Sequence, residues 1–249
     1  MPTETYTPTP TATYTPTPTP TFTPTPPPMR LYVSSYVGDG GSSHPITGVG
    51  FQPDVVIIKS SANRAAVIRT STMGGTVSKI IGSTGPLDAN CILSLNADGF
   101  TVGGAQQVNN PNVTYYYAAM KAGSDLKVGS YSGNGTGQQI TGVGFQPVWV
   151  VTLGDGADSV FRPGPLSGDN SYLMTGTTTF ANGIQALLAD GFQVGNDPTV
   201  NGSGTPYHYI AWAASPQVST GSYTGTGVAH DITGIGFQPL MAWVKRDDA

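Results

Sequence analysis

The chain has 249 residues, with 10 Lys and Arg against 14 Asp and Glu, a formal charge of -4. Charged residues are only 10% of it, against about a quarter in ordinary soluble domains. There is no basic stripe or polybasic run for nucleic acid or anionic lipid, and no apolar stretch approaches the length of a membrane span. The 34 Gly and 21 Pro favour turns over helices and point to an all-β chain. Its length suits one or two domains. Cys91 is the only cysteine, so no intrachain disulfide is possible. Lying in the apolar run "NCILSL", it reads as a buried, inert thiol.

Residues 1–28 form a Thr-Pro arm. Thr occupies every odd position from 3 to 25, and most even positions are Pro. The opening "MPTETYTP" has neither the charged start nor the apolar run of a secretory signal. Either a signal has been left out or the sequence is part of a longer product. The arm has three readings. It is a polyproline II linker reaching roughly 80 Å at about 3.1 Å per residue. It is an O-glycosylated stalk, with Thr7, Thr9, Thr11, Thr13, Thr15, Thr17, Thr19, Thr21, Thr23 and Thr25 as acceptors. Or it is an edge strand. Prolines at even positions delete backbone donors from one flank only, so the segment can pair on its other flank without propagating a sheet. Tyr6, Tyr14 and Phe22, eight residues apart, would then share one face.

Beyond the arm the chain repeats itself. "ITGVGFQP" occurs at 46–53 and 140–147, and "ITGIGFQP" at 232–239. Each follows a companion: "SYVGDG", "SYSGNG" or "SYTGTG". Downstream, "LNADGFTVG" (95–103) matches "LLADGFQVG" (187–195), and "YYYAAM" (115–120) matches "YHYIAW" (207–212). This order defines module one at 29–127, module two at 128–217, and a partial third repeat at 218–249 that holds only the opening motifs.

Within a module the pattern predicts strand, turn, strand. "RLYVSSYVG" alternates and is rich in β-branched and aromatic residues. "GDGGSS", "GNGTGQ" and "GTGVAH" are turns. "FQPDVVIIK", "FQPVWVVTL" and "FQPLMAWVK" read as strands buried on both faces, with Pro at their start. "ANGIQALL" at 181–188 reads as a strand or one helical turn. "DGF" marks a tight turn, and the aromatic runs close each module. In those runs Tyr115, Tyr117, Tyr207 and Tyr209 are expected to point inward and Tyr116 and His208 outward. The fold expected is two tandem jelly-roll-like β-sandwiches. The third repeat is expected to supply a strand pair whose "PLMAWV" is exposed, either truncated or completed by a neighbour.

The order "SYTG…ITGVGFQP…VWVV…ADGF…YIAW" resembles sandwich modules of phage tail-fibre proteins and bacterial surface proteins. The likeness covers modules one and two and the opening of the third repeat. The Thr-Pro arm is similar to the stalks of bacterial surface proteins. The resemblance implies an exterior, structural or adhesive role and carries no catalytic residues with it.

No active site is marked. His44, His208 and His230 read as solvated loop residues, with no carboxylate at a fixed spacing. "DGADS" offers Asp155 and Asp158 to Ca²⁺ but lacks the acidic density of an EF-hand. No Gly-rich stretch opens a helix to cradle phosphate. Sequons at Asn112, Asn134 and Asn201 are weak N-glycan candidates. The expectation is a non-enzymatic protein without cofactor or metal. It is expected to be the subunit of an extracellular or cell-surface helical homopolymer carrying covalent glycans. Tyr6, Tyr14, Phe22, Phe237 and Trp243 are the expected self-assembly residues. The alternative is a carbohydrate-binding adhesin or tail-fibre receptor-binding module with the arm as spacer. A glycoside hydrolase built on Asp alone stands third.

Overall fold

The computed structural model describes residues 1–4 and 26–247. The expectations for Tyr6, Tyr14, Phe22 and Thr7 to Thr25 therefore lie outside the described residues. The body is all-β, built from antiparallel sheets.

Module one contains β1 (Arg30–Val37), β2 (His44–Thr47), β3 (Val55–Ser60), β4 (Val67–Thr70), β5 (Lys79–Ile80), β6 (Ile92–Asn96), β7 (Gly99–Val102), the single-turn α1 (Gln106–Asn109) and β8 (Thr114–Lys121). Module two repeats the plan. It has β9 (Leu126–Ser132), β10 (Gln138–Thr141), β11 (Pro147–Gly154), β12 (Ser159–Pro163), β13 (Asn170–Leu173), β14 (Thr179–Ala181), β15 (Ile184–Leu188), β16 (Gly191–Val194), α2 (Pro198–Asn201) and β17 (Pro206–Ala213). Each module has one large sheet, β1-β8-β3-β4-β5 or β14-β13-β12-β11-β17-β9, and one small sheet, β2-β7-β6 or β10-β16-β15.

The FQP strands explain the layering. In β3, Val56 and Ile58 face the small sheet and join Ile46, Ile92, Phe100 and Val102 in one core. In β11, Val150 joins Ile140, Ile184, Phe192 and Val194 in its counterpart. The residues of opposite parity, Val55 and Ile57 in β3 and Val151 and Leu153 in β11, belong to a third core shared by both modules. The two large sheets thus pack on each other, and the stack runs small, large, large, small. A strand lying in two cores must be apolar on both faces, which is why these runs do not alternate.

The junction falls at 122–125, ahead of the expected 127/128, because Leu126 and Lys127 already pair with Trp212 and Ala211. The segment 181–188 resolves into the end of β14 and into β15, the latter paired to β16. The third repeat differs from expectation. After the bridge between Ser215 and Val218, its described residues form no strand. Neither half of the expected strand pair meets a ladder partner among the described residues.

Candidate functional site

The "ITGxGFQP" motif forms the same turn in both modules. Gly48 and Gly50 take φ of 84° and 80°, and Gly142 and Gly144 take 81° and 91°. These values suit Gly and strain other residues. They aim the N–H groups of two glycines, one residue apart, at one carboxylate. The Gly48 and Gly50 amides donate to Asp98 Oδ2 and Oδ1 at 3.1 and 2.5 Å. Gly142 and Gly144 donate to Asp190 at 3.2 and 2.6 Å. The Gln of the motif adds a clamp. Gln52 Nε2 donates to the Leu95 carbonyl and Gln146 Nε2 to that of Leu187. Two residues past each Asp, Phe100 or Phe192 is fully buried, opposite Ile46 or Ile140 across the ladder. The Asp-Gly-Phe hairpin therefore docks by a carboxylate in a backbone nest and an aromatic ring beneath it.

The third repeat makes the same turn without that hairpin. Gly234 and Gly236 have φ of 83° and 88°, and neither amide has an acceptor among the described residues. Ile232, the counterpart of buried Ile46 and Ile140, is 45% exposed. The run after the turn does alternate. Met241 and Trp243 pack against the core shared by the modules. Trp243 meets the Trp149 ring edge-on at 5.4 Å, and Trp149 in turn stacks on Trp212 at 4.6 Å. Lys245 Nζ donates to the Met174 carbonyl at 3.2 Å. Burial, reinforced by a hydrogen bond with Asp247, pushes the Tyr172 phenol up to about 12. On the opposite parity Leu240 and Val244 are exposed. Part of the run expected to be exposed, Met241 and Trp243, is thus turned into the seam. Phe237 is half-buried.

The seam between the modules carries polar ties. Lys79, fully buried, donates to the carbonyls of Gly154 and Ala157 in module two at 3.0 and 2.5 Å. Asp155 Oδ1 accepts from Leu87 N at 2.9 Å. The root of the arm is tied here as well. Met29 N donates to Asp125 Oδ1 at 2.6 Å, and Ser124 N to the Pro27 carbonyl at 2.9 Å.

Tyr115, Tyr117, Tyr207 and Tyr209 are buried as expected, and Tyr116 is 58% exposed. His208 overturns its expectation. It sits on β17 rather than in a loop, is buried, and bonds to Thr72 across the seam, because its face of the sheet is covered by module one. His44 is half-buried on β2, 3.6 Å from Asp39, while His230 is exposed. Asp158 accepts from Ser159 N and Thr175 Oγ1, so both carboxylates of "DGADS" have protein partners. Cys91 is fully buried, and burial raises its thiol well above the ordinary range. Asn112 and Asn134 are exposed. Asn201 is fully buried, with its amide donating to the Gly195 carbonyl and to Asn134 Oδ1, so that sequon is closed in the folded chain.

Two open clefts of about 550 and 310 Å³ lie at equivalent places beside Gln146 and Arg162 and beside Gln52 and Arg69. No aromatic side chain lines either one. The two arginines are buried and clamp loops. Arg69 donates to the carbonyls of Val77, Ile92, Met73 and Gly75. Arg162 does the same with Asn170, Ile184, Leu166 and Gly168.

The fold and these turns define a tandem all-β sandwich protein with a repeated hairpin socket. Residues 30–126, from β1 to the first residue of β9, match the model of a domain of unknown function, DUF7483. Searches of curated proteins and of solved structures find no match to the chain.

Proposed function

We propose that the chain is the repeating structural, non-enzymatic subunit of an extracellular or cell-surface filament. Subunits connect through the N-terminal arm and through contacts at the third repeat, and the arm carries O-linked glycans. The observation that carries this reading is the anchored root of the Thr-Pro arm. Ile232, Leu240 and Val244 of the third repeat are exposed as well. Exposed large apolar side chains suit a contact with another chain. The arm's root at Pro27–Met29 is pinned to the inter-module junction, which gives the arm a rigid platform. The adhesin alternative is less well supported, since neither cleft offers an aromatic platform for a sugar ring.

Negative-stain microscopy and sedimentation of the full chain test the proposal. The expected result is polymers at micromolar concentration, lost on deleting residues 1–28 while circular dichroism keeps its β signature. Monomers at every concentration would overturn it.

A further inference from the structure

We infer that Asn182 is a site of self-catalysed deamidation, with water as the co-reactant. The next backbone nitrogen carries the reaction. Gly183 N gives up its proton to hydroxide and attacks the Asn182 side-chain carbonyl carbon. The amide nitrogen of the side chain leaves as ammonia, and water opens the cyclic imide that results. The product is Asp or isoaspartate at 182, and in isoaspartate the main chain runs through the side-chain carbon. A bulky following residue crowds this attack, so Asn-Gly pairs are the most reactive. The chain has Asn134–Gly135, Asn182–Gly183 and Asn201–Gly202. The inference is independent of the filament reading.

The fold separates these pairs. Gly135 N donates to the Asn201 carbonyl at 2.9 Å, and Gly202 N donates to the Tyr207 hydroxyl at 2.8 Å. Each nitrogen must break a hydrogen bond before it can attack. The side chains are tied as well. Asn201 is fully buried, with its amide donating to the Gly195 carbonyl and to Asn134 Oδ1, and Asn134 Oδ1 also accepts from Thr136 N at 2.8 Å. Gly183 N, in contrast, has no acceptor among the described residues. Asn182 is exposed, and its Oδ1 accepts only a long bond from Gln185 Nε2, at 3.4 Å. Its φ is 64°, a left-handed conformation that Asn adopts at some cost. Asn112 shares that conformation, with φ of 62°, but β-branched Val113 follows it and crowds the attacking nitrogen.

Module one shows why the reactive pair is confined to module two. The counterpart of Asn182–Gly183 is Asn90–Cys91, in a turn held the same way. The carbonyls of Asn90 and Asn182 accept from Ala105 N and Asp197 N at 3.2 and 3.1 Å, and those of Cys91 and Gly183 accept from Gly103 N and Gly195 N at 2.7 and 2.8 Å. In module one the Cys91 side chain belongs to the core. In module two a Cβ on residue 183 would lie 2.1 Å from Ser171 Oγ and 2.8 Å from the Phe180 ring. Packing therefore requires Gly after Asn182, and that requirement leaves the attacking nitrogen unshielded.

The test incubates the full folded chain in ¹⁸O-labelled water at mildly alkaline pH and reads each Asn-Gly peptide by mass spectrometry over time. The expected result is labelled Asp and isoaspartate at 182, appearing about tenfold or more faster than at 134 or 201, because those sites must first give up a hydrogen bond. The same incubation in urea should bring the three rates together, since each pair then has the same local chemistry. Equal rates in the folded chain, or faster conversion at 134 or 201, would overturn the inference. So would an Asn182 that stays intact in the folded chain while it reacts in urea. A preference for 182 that persists unchanged in urea would assign the selectivity to neighbouring sequence and overturn the structural account.

Discussion

Thr72 of module one and His208 of module two share a hydrogen bond across the seam, Oγ1 to Nδ1, at 2.8 Å. The imidazole is buried, and burial lowers its affinity for a proton, reinforced by Arg69 and opposed by Asp155. A histidine held below its unfolded value binds fewer protons folded than unfolded. Stability therefore rises with pH through the window below about 6.5 and is fully present above it. Wild-type protein should lose stability between pH 7 and pH 5, and His208→Gln should flatten that slope. Urea midpoints at half-unit pH steps measure it. Equal slopes in both proteins would show that His208 does not couple folding to pH.

The shared core makes a second expectation. With the two large sheets packed face to face through Val55, Ile57, Val151 and Leu153, the modules should unfold as one cooperative unit. Val151→Asp places a charge in that core and should split the calorimetric transition in two or abolish folding. Lys79→Ala is the milder version. It leaves the Gly154 and Ala157 carbonyls without their donor and should cost about 2–3 kcal/mol.

Asp98 and Asp190 hold equivalent hairpins far apart in the chain. Each carboxylate-to-Ala change should cost about 2–3 kcal/mol, from two charge-assisted amide bonds. The double variant should lose close to the sum, because the sites share no partner. Denaturant titration of the two single variants and the double variant tests both claims.

Arg162 holds four carbonyls with one guanidinium fork. Lysine cannot reproduce that geometry. Arg162→Lys should therefore destabilise by about 2–4 kcal/mol, and limited proteolysis should open the loop at 164–169 first.

Trp243 is the third repeat's main anchor on the seam. Trp243→Ala should leave both sandwiches intact while hydrogen exchange and protease sensitivity rise over 219–247. Unchanged protection there would mean that Met241 and Lys245 suffice.

Much of this fold was legible in the sequence because its signals are local. The alternation of "RLYVSSYV", the prolines opening the FQP runs and the glycines at 48 and 50 act on neighbouring dihedrals and faces. The inward tyrosines followed from parity alone. The socket was half legible. The FQP and ADGF motifs stood out as repeats, but the bond from Asp98 to Gly48 and Gly50 spans about fifty residues and has no local trace. The helical turns α1 and α2 were missed for a similar reason. They are held by Tyr115 and Tyr207 hydroxyls accepting from Asn110 and Gly202 and donating to Gln106 and Pro198.

The sequence by itself determined the all-β class, the repeat boundaries to within a few residues, and which strands are apolar on both faces, because period and turn chemistry are properties of adjacent residues. Only the tertiary structure decided that the two large sheets share a core. It also decided that His208 lies inside rather than out, that Asn201 is closed to modification, and that the third repeat docks by one parity of its FQP run. Those outcomes depend on which surface another module covers, and burial by a distant partner is not written in the spacing of neighbours.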